Sequence, residues 1–544
     1  MKLSWFIILM VACGVVNANP MIVRSGGNAV EFPRNGAASV KMGTSLECRA
    51  CRGEYESLSA VVSAEGDLMG VMATPSDLTG TGGRIPSSAI DIRIVRWWYQ
   101  GKMVDMLRNH PVEYSPIKVL TPELLLRDDA LVKVDPAKQD NYLRDTRSDG
   151  TTNYLLCSDP DSSNLANVRP IDARRLQPVD ILAGTSREYW INVHVPSDIA
   201  AGRYTGLVRF TARGCSVDLP LRVSVNDFDL EPSRLIYSIY YRGYLAADGR
   251  PTVESNAKSE HQYRTEIVNM RDHGVLHPNN YQGMTEKGTF DDLRRTLRIR
   301  REAGLPAGDF YTLGCGAGDE KNIPRWVQVC REYGYDKVFF YGADEAEGDA
   351  LIAQRAAWKV TQDLGGRTFV ATYSRSKAYE TMGSLLDLAV ISGLPNPENA
   401  KNWHEIGSRC FAYLCPQVGV EDPRIYRRNF GLLLAKSGHD GAMDYAYQHS
   451  FHHIWDDFDD TDYRDHVFAY PTIDGVVDTI QWEGFREAVD DVRYLTTMER
   501  AISQAEVRNP GLASKARSWL EGIPTDDSDG DRRGMIGWIM RLRR

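Results

Sequence analysis

KVFFYGADE (337–345) is an apolar run that ends in two neighbouring carboxylates, Asp344 and Glu345. A segment apolar on successive residues suits a strand buried on both faces, as in a parallel sheet covered by helices. The flanks agree. Upstream, Trp326, Val329 and Tyr333 fall on a predicted helix; downstream, Ala353, Ala356, Ala357, Val360 and Leu364 mark a helical face that stops at Gly365-Gly366.

The same alternation extends in both directions. YSIYYRGYL (237–245) reads as a first strand, and a helix ending at His273 leads to the loop HPNNYQG (277–283). FYTLGCG (310–316) precedes the quoted strand, and RTFVATYS (367–374), LAVISGL (388–394), CFAYLC (410–415) and GAMDYAYQH (441–449) follow it. About eight strand–helix units predict a (β/α)8 barrel. A doubly wound sheet produces a similar alternation, but no GxGxxG or GxxxxGK[ST] follows any of these strands.

Before the barrel, Ile191, Val193 and Val195, then Val208 and Phe210, then Leu219, Leu221, Val223 and Val225 repeat with period two around turn residues. That pattern predicts an antiparallel β-sandwich. The polar segment 135–161 reads as a long loop or an insertion within this domain, and Glu231-Pro232-Ser233 marks the change of pattern. PTDDSDGDRRG (524–534) reads as part of a linker and short helical tail. The expected organisation is a signal peptide at 1–18, a β-sandwich at 19–232, a (β/α)8 TIM-type barrel at 233–508 and a C-terminal helical tail at 509–544.

The leader assignment rests on MKLSWFIILMVACGVVNA: one Lys, an apolar core shorter than a membrane span, and the small-residue end Val16-Asn17-Ala18. A membrane anchor is the alternative, and a lipidated Cys13 a lesser one. No later segment is apolar enough to span a bilayer. The formal charge of -9 is spread along the chain, so no basic stripe points to nucleic acid or an anionic membrane. A neutral glycan or glycoconjugate suits this balance, and no cofactor is required. The cysteines beyond Cys13 are scattered; Cys48 and Cys51 read as a local disulfide or two buried thiols, with a zinc site the lesser reading.

Asp344 and Glu345 close the fourth strand of the count, where barrel strands present catalytic groups. Adjacent carboxylates suit one form of glycoside hydrolysis: Glu protonates the leaving oxygen while Asp orients a substrate 2-acetamido group that acts as nucleophile. The competing reading is a solvated acidic strand end, since Glu347 and Asp349 continue the acidic run.

The strings GEYESLSAVV (53–62), VRWWYQ (95–100), PELLLRDDALVKV (122–134) and VPSDIAAGRYTGLVRFTA (195–212) resemble the β-sandwich that precedes glycoside hydrolase family 123-like barrels. AYPTIDGVVDTIQWEGFREAVDDVRYL (469–495) is similar to the closing segment of the bacterial domain of unknown function 4091 group related to that family. The resemblance implies an exo-acting retaining β-N-acetylgalactosaminidase-like activity, with Asp344 orienting the acetamido group and Glu345 as general acid/base.

An acetamido pocket needs hydrogen-bond donors, and tyrosine hydroxyls supply them. Asn280, Tyr281, Tyr373, Tyr413, Asp444, Tyr445 and Tyr447 lie at predicted strand ends and are candidate substrate contacts, although strand tyrosines commonly serve the core. Trp455, in HSFHHIWDDFDD (449–460), is a candidate sugar-stacking ring; the loop's His and Asp residues match no metal motif, and no metal is expected. Trp482 and Arg486 share a helical face and complete the candidates. A conventional two-carboxylate glycosidase acting on a non-acetamido sugar, pairing Glu345 with Asp444, Glu483 or Glu487, is one rival. A noncatalytic glycan-binding surface protein is the other.

Overall fold

The computed structural model describes residues 19–31, 42–103, 114–285 and 287–544. The expected leader, with Cys13, lies outside the described residues.

The period-two segments form two facing sheets. One is antiparallel, in the order Met21–Asn28, Tyr55–Ala64, Ser186–His194, Ile90–Met103 and Tyr114–Leu126. The other runs Val179–Ile181, Leu68–Pro75, Gly202–Ala212, Cys215–Val225 and Leu46–Ala50, the last pair being parallel. Leu58, Val62 and Ile191 from the first sheet meet Val208, Phe210, Leu221 and Val223 from the second in one core. Ser186–His194 is buried on both faces, because Trp190 packs on its far side with Ile480. Removing that second face from water is what joins the two halves of the chain.

Of the two readings of segment 135–161, the insertion fits and the long loop does not. Val132–Asp135, Asp140–Thr146 and Thr152–Leu156 form a three-stranded antiparallel sheet. Its buried face alternates Asn141, Leu143 and Asp145, and the polar members are satisfied: Asn141 Nδ2 donates to Tyr99 O at 2.7 Å, and Asp145 accepts from Arg169 N at 3.0 Å. Composition hid this strand because hydrogen bonds replaced its apolar residues.

The second half carries seven parallel strands: β1 (Ile236–Ile239), β2 (Asp309–Gly316), β3 (Lys337–Tyr341), β4 (Arg367–Thr372), β5 (Leu388–Ser392), β6 (Arg409–Tyr413) and β7 (Gly441–Asp444). Their order is β1-β7-β6-β5-β4-β3-β2. Helices such as Glu260–Asp272, Asp291–Glu302, Ile323–Glu332 and Pro397–Glu405 alternate with them. Tyr311, Phe339, Phe369, Val390, Phe411 and Met443 share one core cluster.

The second unit of the sequence count forms no regular strand. Its residues 277–280 still reach both edges of the sheet: His277 N and Asn279 N donate to Tyr237 O and Ile239 O at 3.3 and 2.9 Å, and Asn280 N donates to Tyr311 O at 2.9 Å. Leu313 N returns a bond to Asn280 O at 2.8 Å. Pro278 lacks an N–H, which prevents an uninterrupted ladder here.

The C-terminal segment is helical as expected, but it contains no linker set apart from the fold. α1 (Ile480–Arg508), α2 (Pro510–Glu521) and α3 (Ser528–Leu542) pack against the parallel half, with Ala513, Ala516, Met535, Ile536 and Ile539 in the same cluster as Tyr237 and Phe485. The acidic run that suggested a linker contains the start of α3, where Asp527 accepts from Gly530 N at 2.9 Å. On α3, buried Arg532 pairs with Glu487 and Asp491 of α1 at 2.7 and 2.5 Å and with Glu56 of the sandwich at 3.1 Å. Among the described residues no helix is long and apolar enough to cross a membrane.

Candidate active site

The parallel strands leave their C-terminal ends on one side, and the quoted acidic pair lies there. β3 stops at Tyr341, but its backbone stays beside β4: Gly342 N donates to Phe369 O at 3.0 Å and Glu345 N to Ala371 O at 3.1 Å. Only glycine suits position 342, since a Cβ would stand 2.5 Å from buried Trp358. Glu345 adopts φ 48°, a left-handed conformation that costs a non-glycine residue of order 1–3 kcal/mol. Leu414, just beyond β6, does the same at φ 55°.

The two carboxylates have separate partners. Tyr413 at the end of β6 donates its hydroxyl proton to Glu345 Oε1, and Tyr373 just beyond β4 donates to Oε2. Asp344 Oδ1 accepts from the Tyr341 hydroxyl at 2.5 Å. Ala371 N donates to that same hydroxyl at 3.2 Å. With its own proton committed to Asp344, Tyr341 accepts from Tyr240, whose hydroxyl stands 3.2 Å away. Four tyrosines from β1, β3, β4 and β6, or the residues just after them, thus tie the pair to the strand ends.

Burial raises the pKa of all four phenols, and accepting carboxylates reinforce this at Tyr373, Tyr413 and Tyr341; Tyr373 is pushed to about 12. They remain proton donors at neutral pH. Asp344 is exposed, yet desolvation by the residues beside it pushes its carboxyl above the ordinary range; the Tyr341 hydrogen bond opposes this and the Glu345 charge adds to it.

A second polar group adjoins the first. Arg242, three residues past β1, donates Nη1 to the Tyr445 hydroxyl at 2.8 Å and Nε to Asn256 Oδ1 at 3.1 Å. Its guanidinium stands 5.6 Å from the Tyr281 ring centroid. The Tyr240 and Tyr445 rings meet edge-on at 5.3 Å, linking the two groups. Tyr445 and His449 Nδ1 lie 3.2 Å apart, and burial, with Arg242 nearby, drives His449 down to about 3, leaving it neutral.

Of the predicted contacts, Tyr373 and Tyr413 bond Glu345, while Tyr281 and Tyr445 adjoin Arg242 in the neighbouring group. The other predicted contacts serve elsewhere. Asn280 is wholly buried and bonds Gln282 O and Thr312 Oγ1 at 3.0 and 3.3 Å, binding the irregular second unit to β2. Asp444 is also wholly buried, accepts from Leu414 N at 2.9 Å and is pushed well above the carboxylate range by desolvation. Tyr447 donates to Asn269 Oδ1 at 2.9 Å and packs on Trp482 in the core outside the strands. Trp482 is wholly buried, stacked on Phe468 and His273. Trp455, equally buried, packs against Trp98 and Tyr470 and donates to Pro471 O at 2.9 Å, so it presents no face to a sugar. Arg486 pairs with Glu483 and bonds Ser57 of the sandwich at 3.0 Å. Each of these side chains is buried with partners inside the protein, from the sandwich for Trp455 and Arg486 and from the second half for the others.

The proposed second carboxylates are occupied too. Glu483 accepts from Asn192 Nδ2 at 2.8 Å besides its pairing with Arg486, and Glu487 belongs to the Arg532 network. His273, Asp478 and Glu483 bring possible metal-ligand atoms within 4.8 Å of one another. Arg93 already binds Asp478 at 2.5 Å and Arg486 binds Glu483, so the negative charge a cation would need is neutralised. Cys48 and Cys51 are free thiols, which excludes the local disulfide, and burial raises both pKa values.

Sequence reasoning missed Tyr240, Tyr341 and Arg242. Their signal was position: each lies at or just past the end of a predicted parallel strand, where the two tyrosines read as core.

No family model and no curated protein matches the sequence. Among solved structures, a Bacteroides uniformis β-glucuronidase is 10% identical, with 80% of this chain and 50% of that one covered and a TM-score of 0.31, too low to relate the two folds. A family 123 glycoside hydrolase from Clostridium perfringens, described for its hydrolysis of glycolipid glycans, is 12% identical; 92% of this chain and 93% of that one are covered, at a TM-score of 0.57. At that identity the likeness is one of fold: over nearly its whole length, this chain is folded like a family 123 glycoside hydrolase.

Proposed function

We propose that the chain is an exported, exo-acting retaining glycoside hydrolase acting on 2-acetamido sugars, with a β-N-acetylgalactosaminidase-like specificity. The observation that carries this reading is the adjacent pair itself: Glu345 held at both oxygens by tyrosine hydroxyls, beside Asp344 held by a third tyrosine. We take the seven strands and residues 277–280 together as a (β/α)8-type barrel, with the pair at its C-terminal mouth.

In this mechanism Glu345 protonates the departing glycosidic oxygen. The substrate's acetamido oxygen attacks the anomeric carbon, forming a cyclic oxazolinium, while Asp344 accepts a hydrogen bond from the amide N–H and stabilises the charge that develops there. Glu345 then removes a proton from the water that opens the ring, and two displacements retain the anomeric configuration. The tyrosines hold both carboxylates in place before reaction, so little reorganisation accompanies charge development. The engagement of Asp444, Glu483 and Glu487 elsewhere favours substrate assistance over a route using two separated carboxylates.

Chromogenic β-glycosides with and without a 2-acetamido group test the reading. Turnover confined to the 2-acetamido members is expected. Equal hydrolysis of 2-hydroxy members would replace substrate assistance by the two-carboxylate route, and no hydrolysis of any member would favour a noncatalytic glycan-binding protein.

A further inference from the structure

Among the described residues, Arg242 is a cation without an anionic partner, near the strand ends that carry two carboxylates. Its recorded partners, the Tyr445 hydroxyl, Asn256 Oδ1 and the Tyr281 ring, are all neutral, and no carboxylate among the described residues is within ion-pair distance. Buried guanidinium groups elsewhere are satisfied in one of two ways: Arg93, Arg427, Arg464, Arg486 and Arg532 each have a carboxylate within 4.0 Å, and Arg300 gives three hydrogen bonds, to the Tyr263 hydroxyl, Pro278 O and Asn279 O. A guanidinium has five N–H donors in a planar fork, and the two bonds to Tyr445 and Asn256 leave three unused.

Its location relates this charge to the proposed reaction. After burial, which is the largest influence, Asp344 contributes to the raised pKa of Tyr281 and Tyr445, and Arg242 opposes it at both hydroxyls. The contacts give the same relation: Arg242 bonds Tyr445, the Tyr445 ring meets that of Tyr240 at 5.3 Å, and the Tyr240 hydroxyl stands 3.2 Å from that of Tyr341, which bonds Asp344. A sugar whose anomeric carbon faces Asp344 and Glu345 would extend its ring substituents towards the guanidinium. Neutral hydroxyls do not need a fixed cation, whereas a sulfate ester or carboxylate is matched by its planar fork.

We propose that Arg242 forms an anion subsite near the acidic pair, and that the natural substrate is a glycan bearing an acidic substituent, a sulfate ester or a carboxylate, on the sugar cleaved or on its neighbour. The inference rests on the glycosidase reading for its orientation, but binding tests it separately.

The experiment compares neutral, 4-sulfated and 6-sulfated 2-acetamido glycosides and a uronate-linked disaccharide, by kcat/KM and by calorimetric binding of the same compounds to Glu345→Gln. At least tenfold higher kcat/KM and tenfold tighter binding are expected for one acidic member, with the preference weakening as salt rises. Arg242→Gln should bring the ratio of acidic to neutral substrate towards one, and Arg242→Lys should restore part of it. A merely structural role for Arg242 would lower both substrates together. Turnover without any acidic preference, or a preference that survives Arg242→Gln, overturns the subsite and leaves the glycosidase reading intact. Selective binding with no turnover of any compound overturns the glycosidase reading and leaves the subsite. Neither turnover nor selective binding overturns both.

Discussion

Tyr413 donates to Glu345 across two intervening strands, since β4 and β5 separate β6 from β3 in the sheet. The carboxyl thus does not rest on its own strand; it is suspended between side chains from β6 and from the end of β4. Tyr413→Phe and Tyr373→Phe should each lower kcat by roughly tenfold, the scale of one charge-assisted hydrogen bond. Because both act on one carboxyl, the double variant should fall short of the product of the single losses, and a double-mutant cycle on kcat measures the shortfall. Strict multiplication would mean that the tyrosines act independently of Glu345.

Asp344→Asn should reduce kcat on 2-acetamido substrates by a factor on the order of 10² to 10³ with far less change in KM, because its partner gains charge mainly in the transition state. Tight binding of a thiazoline mimic of the cyclic intermediate should disappear with it. Stability should not suffer. The folded-state pKa of Asp344 is raised, so its ionisation opposes folding as pH rises and costs nothing below the unfolded value of 3.8. Thermal melts at pH 7 should place Asp344→Asn at or above the parent, with any gain vanishing near pH 3. A large loss at pH 7 would show that the carboxylate supports the fold.

Glu345→Gln should abolish hydrolysis of glycosides with poor leaving groups and spare much of it when the leaving group is activated. A departing oxygen that needs no proton does not need the acid. Equal losses on both would remove Glu345 from that role.

Asp456 offers a pH test far from the pair. It is wholly buried, accepts from Asp159 N and Phe458 N at 3.2 and 3.1 Å, and burial pushes its carboxyl to about 7. A raised folded pKa means that stability is greatest below 3.8 and declines as pH rises through 7, by up to about 4 kcal/mol. Asp456→Asn costs a backbone hydrogen bond at pH 4 but removes a buried charge at pH 8. Its melting temperature should therefore improve relative to the parent across that interval; a constant difference would refute the assignment.

The alternation of buried strands and helices was legible because each parallel strand is apolar on both faces, and the position of Asp344 and Glu345 followed from where β3 ends. Tyr373 and Tyr413 were legible for the same reason. What stayed hidden depends on contacts across the chain. Nothing local distinguishes a Trp455 covered by Trp98 from one open to sugar, or an Arg486 engaged by Ser57 from one facing a cleft. Arg242 was hidden in the opposite way: it lies in a string read only as a strand, and its meaning comes from the carboxylates absent around it among the described residues. The sheet at 132–156 was missed because Asn141 and Asp145 fill its inner face.

The Arg532 network also orders events in time. Glu56 lies 476 positions before the arginine that neutralises it, so during synthesis the sandwich waits for its counter-charge until almost the entire chain has emerged. Domains generally fold from the N-terminus as they appear, but here the first one made cannot complete its charge balance before the last helix arrives. Until then Glu54, Glu56 and their neighbours must remain hydrated or protonated. The closing helix therefore acts as a latch, supplying last the counter-charge that the first strands require.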